Sequence, residues 1–182
     1  MFLEDIKERD PEHEFNKHAL HWPAYYGRVD LYRMLITELE DKNPRQSDHG
    51  TTPLHLAAIN GHFSVCELII KNSEEKNPAD SFGDTPLHDA CENGDLEICK
   101  LIMTHIGKEN VINLSGQTPL HHAVKGGHFL VCQWLIENTT NSQTTDEEGK
   151  TPYQYAVERG HKDIIELLTP YSFPRSKRPR CK

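Results

Sequence analysis

Twelve histidines and five cysteines in 182 residues are the side chains best equipped for chemistry, so metal binding and thiol catalysis are the first candidates. Tetrahedral metal sites draw imidazoles or thiolates from one face, for example at i and i+4 of a helix. His121 and His122 are adjacent and point to different faces instead. His21, His55, His88 and His121 hold one position of a periodic pattern, and His62, His128 and His161 hold another. Structure rather than ligation accounts for these seven. Cys66, Cys99 and Cys132 recur at one fixed interval among apolar neighbours, as in Val131-Cys132-Gln133-Trp134-Leu135-Ile136. A nucleophilic thiolate needs an electropositive, partly exposed setting; none is visible, and small core residues are expected. Cys91 and Cys181 receive no assignment. Gly149-Lys150-Thr151 resembles the end of a phosphate-binding loop, but that motif also needs a Gly where Thr144 stands. No dinucleotide motif, nucleophile elbow or zinc-protease helix motif is present. The expectation is no catalytic residue, no cofactor and no metal.

The elements that carry these residues follow from a repeat. Thr52-Pro53-Leu54-His55, Thr85-Pro86-Leu87-His88, Thr118-Pro119-Leu120-His121 and Thr151-Pro152-Tyr153-Gln154 recur with a 33-residue period, which the three cysteines share. Gly50, Gly83, Gly116 and Gly149 precede each Thr by two, and Gly61, Gly94, Gly127 and Gly160 follow it by nine. Thr suits an N-cap and Pro the first helical position, where a missing N–H costs nothing. In the second unit a short helix runs through Leu54 to Ala58, whose small Ala57 and Ala58 let a neighbour approach. Gly61 supplies a left-handed ending. A second helix follows, with Phe63, Val65, Cys66, Ile69 and Ile70 on its apolar side. One unit cannot bury that side alone, so units must stack.

On these residues the chain resembles the ankyrin repeat family: the G-x-T-P-L-H core, the Gly-His or Gly-Asp turn and the 33-residue period coincide over about residues 18 to 168. The resemblance implies an all-α repeat solenoid of helix pairs joined by β-hairpin fingers. It also implies that the first-set histidines hydrogen-bond locally to order the turn, and that fingers and first helices line a concave partner-binding surface. A weaker copy at His18 to Arg28 aligns with Thr52 to His62 at an offset of 34 and places Pro23 inside the expected helix. Pro in a helix interior costs about 3 kcal/mol, so this helix is expected to begin at Pro23. The domain map is an extension at 1–17 with a short helix through Phe2, Leu3 and Ile6, repeats at about 18–48, 49–81, 82–114, 115–147 and 148–170, and a basic disordered tail at 171–182.

Composition bounds the function. Net charge is −8, yet Arg175, Lys177, Arg178, Arg180 and Lys182 put five cations and no acid in the tail, leaving −13 on the rest. An acidic body repels phosphate backbones, which disfavours nucleic-acid binding by the repeats. No run has the ~18 apolar residues of a membrane helix, and Glu4 and Asp5 fall where a signal peptide needs apolar residues. A monomeric chain in a reducing compartment, cytoplasmic or nuclear, is expected. Arg175 to Arg180 form a candidate nuclear-import signal.

Function is therefore sought at the positions the resemblance leaves free to vary. The finger tips give Asp48, His49, Phe82, Asp84, Leu114, Gln117, Glu147 and Lys150. The ends of the first helices give Tyr25, Tyr26, Ile59, Asn60, Glu92, Lys125 and Glu158. The mid-helix position gives Trp22, Asp89, His122 and Tyr155. Tyr25, Tyr26, Ile59, Phe82 and Leu114 are apolar where the fold asks only for polarity, and aromatics are favoured at hot spots. Asp84, Asp89, Glu92, Glu147, Glu148 and Glu158 add negative charge. The expected function is a non-catalytic interaction module whose protein partner carries basic and apolar groups. Two narrower readings are an inhibitor-of-kappa-B-like mask for a transcription factor and a targeting subunit for an enzyme such as a phosphatase or ubiquitin ligase.

Overall fold

The computed structural model describes residues 19–107, 111–139 and 144–171. The expected N-terminal extension and nearly all of the basic tail lie outside the described residues. Among the described residues ten α-helices form five pairs: α1 (His21–Tyr25) with α2 (Val29–Glu38), α3 (Pro53–Ile59) with α4 (Phe63–Asn72), α5 (Pro86–Asn93) with α6 (Leu96–Ile106), α7 (Pro119–Gly126) with α8 (Phe129–Asn138), and α9 (Pro152–Arg159) with α10 (Lys162–Leu168). First helices pack on first helices from α1 through α9, and second helices on second helices from α2 through α10. The result is a two-layer stack, the all-helical solenoid that the sequence period requires.

Each first helix starts as its sequence dictates. Thr52, Thr85, Thr118 and Thr151 are extended N-caps, each in a reciprocal capping box with the residue three on: His55, His88, His121 and Gln154. Proline follows at the first helical position. Gly94, Gly127 and Gly160 end three of these helices in the left-handed conformation. In the first copy the helix begins at His21, two residues before Pro23, which corrects the expected start. Pro23 still falls in the first turn, where an N–H has no carbonyl to reach, so it is tolerated and buried.

The core is made of small and branched residues in register. Ala24, Ala57, Ala58, Ala90, Ala123 and Ala156 are fully buried, which allows first helices to approach closely. Val65, Ile98, Val131 and Ile164 fill the matching place on the second helices. Cys66, Cys99 and Cys132 are buried free thiols, as expected, and burial pushes the Cys66 and Cys132 thiols up. Cys91 is also buried, its Sγ 3.4 Å from that of Cys99.

The fingers are tight turns rather than β-hairpins, because no strand forms among the described residues. Each closes on two backbone bonds, such as the Asp80 N–H to the Asp84 carbonyl at 2.8 Å and the Gly83 N–H to the Asp80 carbonyl at 3.1 Å. Consecutive fingers are tied by one further bond: Ser81 N–H to His49 O at 2.8 Å, Leu114 to Phe82 at 2.9 Å and Glu147 to Ser115 at 2.9 Å. One bond per junction is too few for a ladder.

Candidate functional site

Of the four histidines expected to order the turns, His55, His88 and His121 do so and each also reaches the next repeat, whereas α1 has no such capping box and His21 Nε2 bonds the Thr51 carbonyl at 3.0 Å. His55 Nδ1 accepts the Thr52 N–H at 3.1 Å, so its proton lies on Nε2, which donates to the Asp84 carbonyl at 3.1 Å. His88 and His121 repeat the arrangement with Thr85 and Gln117 and with Thr118 and Lys150. Burial holds all three imidazoles below their ordinary range, His88 down to about 4. At the far end of the first helices, His62 Nε2 bonds the Tyr25 carbonyl at 2.8 Å and His128 Nε2 the Glu92 carbonyl at 2.7 Å. These bridges hold fingers and helix ends in one continuous face.

Four of the five apolar candidates lie exposed on that face. Trp22 stacks on Tyr26 with ring centroids 5.4 Å apart, and Tyr25 meets Tyr26 edge-on at 4.9 Å. Offset and edge contacts of this kind hold aromatic side chains in one geometry. Trp22 is 65% exposed and Tyr26 55%. Phe82 (58%) and Leu114 (69%) project from neighbouring fingers, with His49 tilted against Phe82 at 5.7 Å. Ile59 is half-buried, and Asn60 is exposed and donates back to the Leu56 carbonyl. Asp48 and Glu147 are exposed finger residues.

The mid-helix series changes from apolar to polar along the stack. His122 is not on the face as expected: it is buried, 6% exposed, beneath it. Its Nδ1 lies 3.1 Å from Glu92 Oε2 and its Nε2 3.3 Å from Asp84 Oδ1, both from the preceding repeat. The hydrogen bond to Nδ1 holds the Glu92 carboxyl below its ordinary range. Asp89, half-buried one repeat earlier in the same series, is pushed up to about 8, first by burial and then by Asp84, Asp80 and Glu92. In the last repeat Tyr155 Oη donates to Asp146 at 2.7 Å, and Lys125 and Lys150 lie 5.0 and 5.4 Å from its ring centroid. Gln117 accepts from Lys125 and donates to Tyr155 Oη at 3.3 Å. Lys150 pairs with Glu148 at 3.3 Å and Glu158 at 3.2 Å. Much of the acidic charge on this face is therefore already engaged within the chain.

Three residues that organise the fingers were not among the candidates. Asp80, Asn113 and Asp146 each accept two backbone N–H groups through Oδ1: those of Phe82 and Asp84, of Ser115 and Gln117, and of Glu148 and Lys150. Their own recurrence at the repeat interval was a visible signal. Asn113 also donates to Asp84 at 2.8 Å, joining two fingers. Among the described residues no group of histidine, cysteine and acid side chains is arranged to hold a metal, and no helix is long and apolar enough to cross a membrane.

A family model described as ankyrin repeats (3 copies) matches residues 20–113 and 94–177. Transient receptor potential cation channel subfamily A member 1 of Homo sapiens is 44% identical over 57 residues, 30% of this chain and 5% of that protein. Ankyrin repeat domain-containing protein SOWAHB of Xenopus laevis is 37% identical over 59 residues, 29% of this chain and 7% of that protein. Palmitoyltransferase ZDHHC17 of Danio rerio is 32% identical over 79 residues, 43% of this chain and 12% of that protein. The chain thus covers a small fraction of each of these relatives.

Proposed function

The chain belongs to the ankyrin repeat family, and from that premise we propose that it is a non-catalytic interaction module, an adaptor or inhibitor, that binds a protein partner through its finger and first-helix face. Ankyrin repeats are generally protein-interaction modules. The observation that carries the proposal is the exposure of Trp22, Tyr25, Tyr26, Phe82 and Leu114 on elements whose own packing does not use them. Large aromatics held in fixed geometry yet left in water are what a partner can bury at small entropic cost. The acids on the polar half favour a partner with basic groups and act mainly on association rate. The relatives named above include a channel and a palmitoyltransferase, so the repeats are the shared part and no one whole-protein activity transfers.

The test is capture of a partner by the intact chain, followed by substitution. Tyr26→Ala with Phe82→Ala should abolish capture, because each hot-spot aromatic contributes about 2 kcal/mol or more. Glu67→Ala with Lys100→Ala breaks only exposed ion pairs of second helices, Lys71–Glu67 and Lys100–Glu97, and should do little. Loss of capture by the second pair, with the first pair silent, would place the partner on the second-helix side.

A further inference from the structure

We propose that Cys91 and Cys99 form a modification site, a dithiol in the middle repeat that a hydroperoxide converts to a disulfide joining α5 to α6. Their Sγ atoms lie 3.4 Å apart and both residues are fully buried. Cys66 and Cys132 hold the place of Cys99 in the adjacent repeats, but Ala58 and Val124 hold the place of Cys91 there. The turn between α5 and α6 also carries bonds that its counterparts lack. Asp95 Oδ1 accepts the Glu97 and Ile98 N–H groups at 3.1 and 3.0 Å, whereas Arg28, His62, His128 and His161 cap the other second helices without a side-chain bond. The Gly94 and Asp95 N–H groups both reach the Ala90 carbonyl, at 3.0 and 3.1 Å. This turn holds the facing ends of α5 and α6, and the two sulfurs with them, in one arrangement.

A disulfide holds its sulfurs about 2.05 Å apart, so the bond forms after a short approach from the observed contact. Burial, and then the neighbouring Cys99, push the Cys91 thiol well up. The pair therefore rests as thiols and reacts when the α5–α6 turn opens locally. In the first step one sulfur, as its thiolate, attacks a peroxide oxygen. The O–O bond breaks, an S–O bond forms, and the other oxygen takes up the thiol's proton and leaves as an alcohol or water. In the second step the other sulfur attacks the sulfenic acid: the S–S bond forms, the S–O bond breaks, and the hydroxyl leaves as water with the second thiol's proton. Two thiols together lose two electrons and the peroxide gains them. Proximity favours this second step over further oxidation or capture by a distant thiol. Because α5 carries Asp89 and Glu92, the bond stiffens the centre of the finger side, whatever that side binds.

The experiment treats the full chain with hydrogen peroxide and reads its intact mass, then its peptides after cleavage at Glu92 and Glu97, which lie between the two cysteines. The expected product has lost two hydrogens and joins the Cys91 and Cys99 peptides about tenfold more often than any other cysteine pair, with helical circular dichroism unchanged. Amides of α5 and α6 should exchange about tenfold more slowly than in the reduced chain, and a thiol reductant should restore both mass and rate. Cys91→Ala, which places in α5 what Ala58 supplies one repeat earlier, should remove this product. The proposal is overturned if both thiols survive, if each is oxidised separately to a sulfinic acid, or if links through Cys66, Cys132 or Cys181 predominate. A Cys91–Cys99 link that forms only in urea, or one that leaves α5 and α6 exchange unchanged, overturns it as well. The wild-type peptide map decides the matter even if Cys91→Ala fails to fold.

Discussion

His55, His88 and His121 work in their neutral form, since Nδ1 must accept from the capping Thr while Nε2–H donates to the next finger. Gln154, which begins the last first helix, keeps the cap by accepting the Thr151 N–H at 2.8 Å. His88→Gln should therefore preserve its helix and cost about 1 kcal/mol at pH 7.5 for the lost bridge to Gln117. The folded state holds His88 at about 4 against an ordinary 6.5, so below pH 6.5 the unfolded chain binds the extra proton and stability falls with pH. Urea midpoints at pH 7.5 and 5 should differ less for His88→Gln than for the wild type; an equal difference would show that this imidazole does not carry the acid sensitivity. Asp89 acts with the opposite sign. Its folded value of about 8 lies above the ordinary 3.8, so between these pH values the folded state keeps a proton that the unfolded state has lost, and stability falls as pH rises. Asp89→Asn should stabilise on the order of 2 kcal/mol at pH 8.5 and hardly at all at pH 4, measured by the same midpoints.

At the scale of elements, the close approach of neighbouring fingers sets what the turns tolerate. Gly83 has φ +76°, and a Cβ there would meet the Leu114 nitrogen at 2.7 Å; Gly149 has the same φ with nothing within 4 Å. Gly149→Ala should cost about 1–2 kcal/mol for the left-handed backbone alone, and Gly83→Ala distinctly more; equal urea midpoints would mean that finger contact contributes nothing. The helix starts, glycine endings and buried cysteines are legible because each is written within one repeat: Thr-Pro caps, a left-handed Gly, a thiol amid Val and Ile. The start at His21 escapes a sequence reading because Pro23 looks like an interior residue when it lies in the first turn. His122 reads as a surface residue because its burial depends on Asp84 and Glu92 of the preceding repeat, which no local pattern encodes. The fingers fall short of strands because consecutive turns share only one backbone bond.

At the scale of the molecule, the stack presents an aromatic half, Trp22 to Phe82, and a polar half in which His122, Lys125 and Lys150 already engage acids or their hydrogen-bonding neighbours. A partner's cation must compete with these internal pairs, so charge reversal at Glu92 should weaken capture more at low salt than at high salt. The basic run from Arg175 to Arg180 is proposed as an import signal: a reporter fused to residues 171–182 should enter the nucleus, and a reporter left in the cytoplasm, with no relocation of the full chain on deletion, would count against it. Which face meets the partner is read most directly by hydrogen exchange of the captured complex. Amides of the fingers around residues 48–51, 81–84 and 114–117, and of the ends of α1, α3 and α5, should become protected, while those of α4, α6 and α8 keep their free-state rates. Protection confined to the second helices, with the fingers unchanged, would put the partner on the opposite side and overturn the assignment of the binding face.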